Sequence, residues 1–88
     1  KEQGGVEVKG ALGIKVQYPG DDVDLQVAGA IRFQDKKMAV ANEIPSSGNH
    51  NQGDMIYNNN PQAGGYLGWV CIEGGTPGKW KRFGKIEE

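Results

Sequence analysis

Apolar and polar residues alternate one by one along much of the chain, a pattern that is typical of β-strands with one buried face. No segment repeats its apolar residues at the spacing of an amphipathic helix. The pattern therefore predicts an all-β chain of about six or seven short strands. The strand segments are residues 12–18, 23–27, 31–34, 38–41, 54–57, 66–72 and 79–86.

Polar segments rich in glycine, proline and asparagine separate these strands. Pro19-Gly20-Asp21 and residues 34–37 are typical of tight turns, and residues 43–52 form a longer exposed loop. Gly29 shifts the alternation by one residue, which predicts a bulge or a bend at that position.

Two parts of the chain differ in character. Residues 1–28 contain two alternating segments with one apolar face, and we expect a shaft-like β lead-in that meets neighbouring chains, because two-stranded pieces are marginal in water. Residues 29–88 are expected to form a C-terminal β module. The apolar side chains of the lead-in are Leu12, Ile14, Val16, Val23, Leu25 and Val27.

One copy of the chain offers little material for a hydrophobic core. Of its 88 residues, 36% are hydrophobic and 15 are glycine, and a domain of this size buries only about 60% of its unfolded surface. The single cysteine, Cys71, cannot form a disulfide within the chain. The spacings of zinc sites and of EF-hand loops are absent from the sequence, so we expect no cofactor and no metal. Oligomerisation is the remaining means of stabilisation.

Net charge argues against nucleic acid as a partner, and the length of the apolar runs argues against insertion into a membrane. With a net charge of -1, the chain has no global basic field for nucleic acid. Its longest apolar run is too short for a bilayer span, so we expect no membrane insertion. The chain begins at Lys1 without a visible signal peptide, and we expect it to be a piece of a longer protein.

Most of the aromatic residues lie in the C-terminal half, at Tyr57, Tyr66, Trp69, Trp80 and Phe83. Exposed rings stack on the C–H faces of pyranoses, so the set could form a sugar platform. The alternative, to which we give more weight, is that the rings form the core or a subunit interface. We expect Trp69 to be buried in its apolar strand and Trp80 to be partly exposed after the glycine-rich turn.

The long loop carries the only histidine, His50. A catalytic role would need a nucleophile in a recognisable arrangement, and none is present; a solvated loop histidine is the ordinary interpretation. The loop could still bind sugar hydroxyls through amides and a carboxylate. We therefore predict no catalytic residue. The candidate carbohydrate-binding residues are Tyr57, Tyr66, Trp80, His50, Asn51 and Asp54.

Three segments carry a family resemblance. GDMIYN at 53–58, GGYLGWVC at 64–71 and GTPGKWK at 75–81 resemble the small C-terminal module of phage tail fibres, tailspikes and related extracellular polysaccharide-degrading proteins of Gram-positive bacteria and their phages. VAGAIRF at 27–33 is similar to the segment where a fibre shaft enters a terminal knob.

The resemblance implies a small trimeric β-sandwich-like knob preceded by a short intertwined β shaft. Members of this group are typically homotrimers, and their catalytic residues usually lie in upstream domains. The implied function is non-catalytic trimerisation and binding of a bacterial cell-surface polysaccharide, at a virion tail tip or outside the cell. The alternative is a purely structural cap or registration module of a trimeric fibre or secreted enzyme.

Overall fold

A computed structural model describes residues 9–18 and 20–88. Within them the chain contains strands and no helix, which confirms the all-β prediction. The part of the lead-in at residues 1–8 and the proline of the first turn, Pro19, lie outside the described residues. The strands are β1 (Leu12–Ile14), β2 (Leu25–Val27), β3 (Ile31–Phe33), β4 (Lys36–Ala41), β5 (Met55–Asn58), β6 (Tyr66–Glu73) and β7 (Lys79–Lys85).

The lead-in forms a separate sheet of two strands. β1 and β2 pair in parallel, with Leu12 opposite Leu25 and Ile14 opposite Val27. Of the six apolar side chains of the lead-in, Val16 and Val27 are half-buried and the other four are exposed. The chain bends at Gly29 before it enters the second sheet, as the shift in alternation predicted.

The second sheet has five strands in the order β3-β4-β5-β6-β7. Its neighbours are antiparallel except for β4 and β5, which run in parallel. Parallel neighbours cannot be joined by a tight turn. Residues 42–54, which we call the crossover loop, therefore pass over one face of the sheet before β5 begins.

The crossover face lies under this loop and holds the buried residues. Register places Ala39, Ile56 and Trp69 in one row across β4, β5 and β6, and paired residues point to the same side of a sheet. Within the described part of the chain, Ile56 and Cys71 are the only buried hydrophobic side chains, at 7% and 1% exposure. The core of one chain is therefore very small.

The opposite side of the sheet, which we call the open face, carries mostly apolar side chains that are not buried. Register aligns Met38, Met55 and Val70 in one row, and Val40 and Tyr57 in the next. Residues 9–18 and 20–88 of a single chain leave this face exposed or half-buried, so they supply no second layer of a sandwich. The apolar side chains of the open face are Ile31, Phe33, Met38, Val40, Met55, Tyr57, Val70, Ile72 and Phe83. Register also places three lysines on this side, which are Lys36, Lys81 and Lys85.

Gly68 lies in β6, where the backbone of β5 leaves no room for a side chain. A Cβ atom at this position would collide with the carbonyl oxygen of Ile56 and crowd the ring of Phe83. We expect Gly68→Ala to lower the free energy of unfolding by about 1–3 kcal/mol, because overpacking displaces the backbone. Thermal unfolding measures the change. Gly29→Ala is the control, since its Cβ would meet nothing closer than 3.9 Å; equal loss in both variants would contradict the prediction.

Candidate functional site

The carboxylate of Asp54 anchors the crossover loop at the start of β5. Its side chain is 2% exposed. Oδ1 accepts the backbone N–H of Lys37 at 2.9 Å, and Oδ2 accepts the backbone N–H of Asn51 at 3.0 Å. The backbone of Asp54 bonds to the Asn51 carbonyl and to the Cys71 amide. One residue thus connects the loop, β4 and β6.

The surroundings of Asp54 favour its charged form. Burial by itself raises the pKa of this carboxyl, since desolvation penalises the anion. The hydrogen bonds from Asn51 and Lys37, together with the positive charge of Lys37 and that of His50 when it is protonated, outweigh burial and hold the pKa of Asp54 below its usual value. A buried carboxylate is stable when it is hydrogen-bonded in this way.

Further contacts hold the crossover loop against the sheet. His50 and Gly75 exchange two backbone hydrogen bonds, of 2.9 and 3.0 Å, which join the loop to the turn between β6 and β7. The side-chain amide of Asn51 donates to the carbonyl of Asp35 in the β3–β4 turn at 2.9 Å. Both turns lie at the end of the sheet where β5 begins, so the loop is secured there on either side of β5.

The imidazole of His50 is enclosed rather than solvated, with 11% of its side chain exposed. Nε2 lies 3.1 Å from the Ser47 carbonyl, which accepts a hydrogen bond from it. Nδ1 has no hydrogen-bond partner in the described part of the chain, and it lies 3.8 Å from Oδ2 of Asp54. The ring meets that of Trp80 edge to face, with centroids 5.3 Å apart.

The two tryptophans lie on the crossover face, where the β6–β7 hairpin brings them close together. Trp80 pairs with Cys71, and Trp69 pairs with Arg82 one step further along. The Trp80 indole donates to the Pro77 carbonyl at 2.8 Å and is half-buried, as expected.

The prediction that Trp69 is buried is wrong for the single chain, where Trp69 is also half-buried. The reason is that the crossover loop covers the end of the hairpin near Cys71 and leaves the Trp69 end open.

A groove of about 410 Å³ runs between the crossover loop and the hairpin. Its walls combine two indole rings, one carboxylate and two basic residues. Flat aromatic surfaces beside a carboxylate and basic side chains suit a sugar ring. The C–H faces of the sugar stack on the aromatic rings, and its hydroxyls donate to the carboxylate and accept from the basic groups. The residues of this groove are Glu43, Ile44, Trp69, Trp80, Lys81 and Arg82.

The structure separates the six candidate carbohydrate-binding residues. Trp80, His50 and Asp54 lie together on the crossover face. The carboxylate of Asp54 and the side-chain amide of Asn51 are engaged in hydrogen bonds within the chain. Tyr57 is on the open face.

Tyr66 is half-buried, and the guanidinium of Arg82 lies 4.6 Å above its ring centroid in a cation–π contact. This contact covers one face of the ring that a sugar would otherwise use. Of the groove residues, sequence reasoning proposed only Trp80 as a binding residue and missed Glu43, Ile44, Trp69, Lys81 and Arg82. The predicted β6–β7 hairpin could have indicated two of them, because Trp69 and Arg82 pair across it and lie on the same face.

Other classes of site find no support in residues 9–18 and 20–88. No three of their histidine, cysteine, aspartate and glutamate residues are grouped so that they could hold a metal ion. No helix among them is long and apolar enough to cross a membrane. Comparison with known protein families, curated proteins and solved structures found no match to the chain.

The depressed pKa of Asp54 predicts how stability depends on pH. A lowered folded-state pKa contributes stability above the unfolded value of 3.8, and this contribution is lost as the pH falls through the folded-state value. At neutral pH we expect Asp54→Asn to cost about 1–3 kcal/mol, because one buried N–H loses its acceptor. The difference between wild type and variant shrinks below pH 3.8.

Denaturant unfolding at several pH values checks this prediction. Asp35→Asn is the matched control, because the side chain of Asp35 is 71% exposed and its carboxylate forms an ion pair with Lys36, itself 51% exposed. A pH-independent difference between wild type and Asp54→Asn would show that the carboxylate charge does not stabilise the loop.

Proposed function

We propose that this chain is the C-terminal module of a phage tail fibre or tailspike-like protein. In this proposal it is non-catalytic, forms a homotrimer and attaches the fibre to a bacterial cell-surface polysaccharide, at the virion tail tip or outside the cell. The observation that carries the proposal is the difference between the two faces of the five-stranded sheet. One face is apolar and open, and the other presents an aromatic groove.

The open face supports self-association. Its exposed side chains include Phe33 and Val40, each at 58%, and Tyr57 at 46%. Contiguous apolar patches of this kind mark interfaces, and copies of one chain are the commonest partners. Three such faces turned toward one axis form the knob that the sequence resemblance implies. The exposed apolar residues of β1 and β2 form the shaft in the same way.

The groove supports glycan binding. Trp69 and Trp80 provide stacking surfaces, while Glu43 and Arg82 can accept and donate hydrogen bonds to hydroxyls. In a trimer built through the open faces, the three grooves remain on the outside. Binding to a repetitive polysaccharide then gains from multivalency.

A purely structural cap or registration module is the second candidate. Three observations favour it: the carboxylate of Asp54 and the side chain of Asn51 are engaged within the loop, and Arg82 covers the ring of Tyr66. These contacts engage three of the six candidate sugar-binding residues, and His50 and Trp80 also make hydrogen bonds within the chain. The two functions differ in whether the assembled module binds any glycan.

The open face predicts a mutation that separates the copies. We expect the wild-type chain to sediment as a trimer at micromolar concentration and Val40→Lys to dissociate it, because a lysine would be buried without a partner in the interface. Ile44→Lys is the control, since Ile44 is 43% exposed but belongs to the crossover loop. A monomeric wild type, or equal dissociation by both variants, would contradict the proposal.

The groove predicts a loss of glycan affinity without loss of assembly. A glycan array identifies a ligand, and we then expect Trp69→Ala and Trp80→Ala each to weaken its binding at least about tenfold, the equivalent of about 1.4 kcal/mol. Tyr18→Ala is the control, because that ring is 83% exposed and outside the groove. Melting curves of all variants separate binding from folding. If the trimer binds no glycan, the structural cap is the better description.

A further inference from the structure

Trp80 borders two cavities on the crossover face. One is the groove, and the other, which we call the side pocket, measures about 160 Å³ and lies beside Ala39, His50 and Ile56. A ring that borders open space on more than one side has fewer packed neighbours to fix its plane. The torsion that sets the plane of an indole has only a broad intrinsic preference. The tilt of this stacking surface therefore depends on specific contacts.

One contact holds a single atom of the Trp80 ring. The indole N–H donates to the carbonyl of Pro77 at 2.8 Å. Pro77 lies in the turn between β6 and β7, so this bond ties the ring to its own hairpin. It fixes the position of Nε1 but leaves the ring able to tilt about that atom. A second contact is needed to present one face of the indole to the groove.

The imidazole of His50 supplies this second contact. It meets the indole edge to face, with ring centroids 5.3 Å apart and ring planes at 77°. Aromatic pairs favour this arrangement over a face-to-face stack. Because His50 belongs to the crossover loop, the ring of Trp80 is held from two separate parts of the chain, its own turn and the loop.

His50 is itself fixed in place. Its backbone exchanges two hydrogen bonds with Gly75. Nε2 donates to the Ser47 carbonyl at 3.1 Å, which is possible both in the neutral tautomer with a proton on Nε2 and in the protonated ring. Nδ1 is buried and lies 3.8 Å from Oδ2 of Asp54. Neither ring nitrogen is therefore directed at a ligand, and the part of the ring that meets Trp80 acts through packing.

We propose that His50 is a positioning residue of the groove, which fixes the plane of the Trp80 indole and does not itself touch the glycan. This inference rests on the proposed glycan-binding function and gives an indirect role in it to His50, a candidate binding residue. A stacking surface that is oriented before binding loses less conformational freedom when a sugar arrives. The affinity of the groove then depends on the docked position of the crossover loop.

Two substitutions separate the ring of His50 from its hydrogen bond. His50→Phe keeps an aromatic ring beside Trp80 and removes the donor to the Ser47 carbonyl. His50→Gln keeps a side-chain N–H donor and removes the ring. Asn49→Ala is the matched control, because the side chain of Asn49 is exposed in the same loop.

Hydrogen exchange of the Trp80 indole N–H, followed by NMR on the assembled chain, reports how well the ring is held. We expect exchange at least about tenfold faster in His50→Gln, because local opening becomes easier, and near the wild-type rate in His50→Phe and Asn49→Ala. The backbone amide of residue 50 donates to the Gly75 carbonyl. Its exchange is expected to stay slow in every variant, which would show that the loop remains docked.

The glycan array connects the ring to binding. For the glycan that the wild-type chain binds most strongly, we expect at least about tenfold weaker binding by His50→Gln and wild-type binding by His50→Phe. Unchanged glycan affinity in His50→Gln would overturn the inference. If the wild-type chain binds no glycan, the proposed function fails, while the exchange rates still decide whether His50 positions Trp80.

The exchange rates can contradict the inference in three ways. Wild-type exchange of the indole in His50→Gln would show that the imidazole is not needed. Equal acceleration in His50→Phe and His50→Gln would assign the effect to the hydrogen bond with Ser47. Faster exchange of the residue 50 amide in His50→Gln would show that His50 holds the loop and not the ring.

The wild-type chain provides a test that does not require either variant to fold. Nuclear Overhauser contacts between the ring protons of His50 and those of Trp80 are expected in the assembled chain, because the two ring centroids are 5.3 Å apart. The absence of these contacts would show that the rings do not hold each other, and the inference would fall.

Discussion

The buried carboxylate of Asp54 is the constraint on which the rest of this structure depends. The parallel pairing of β4 and β5 requires a long connection, and a polar loop of that length has no apolar core of its own. Asp54 replaces such a core with two charge-assisted hydrogen bonds, to Lys37 and Asn51. Because the crossover loop covers only one face of the sheet, the two faces have different surroundings.

This asymmetry explains how a chain with so few buried residues can have a defined fold. On the crossover face, Ile56 and Cys71 are buried, while the open face keeps its apolar side chains exposed. Small domains recover such a deficit through disulfides, metals or association. The one cysteine of the chain is buried and unpaired, and association through the open face is the means that the proposed trimer uses. In the proposed trimer, folding of the module would depend on its assembly.

Local patterns were sufficient to predict several elements of the fold. Alternation identified the strands, the glycine at position 29 marked a bend, and the β6–β7 hairpin brought Trp69 and Trp80 to the same face.

Pairing between distant strands was not predictable, because the same alternation fits a parallel or an antiparallel neighbour. For that reason the sequence could not reveal that Asp54 is buried or that Trp69 borders an open groove. Three of the candidate sugar-binding residues, Trp80, His50 and Asp54, proved to be neighbours, whereas Tyr57 belongs to the other side of the sheet. A short sequence motif does not specify the path of the crossover loop, and that path determines which of these residues become neighbours.

The parallel connection between β4 and β5 also implies an order of folding. The β6–β7 hairpin closes a short loop, whereas β4 and β5 must first close the crossover loop, and longer loops cost more entropy to close. Contacts that are local in sequence form early, and non-local pairing follows. We therefore expect the β6–β7 hairpin to form early and to add β5. The β3–β4 hairpin, whose turn is only residues 34 and 35, forms separately and pairs with β5 last. Until β4 pairs with β5, the free edge of β5 is the place where a newly made chain can most easily mispair with another chain.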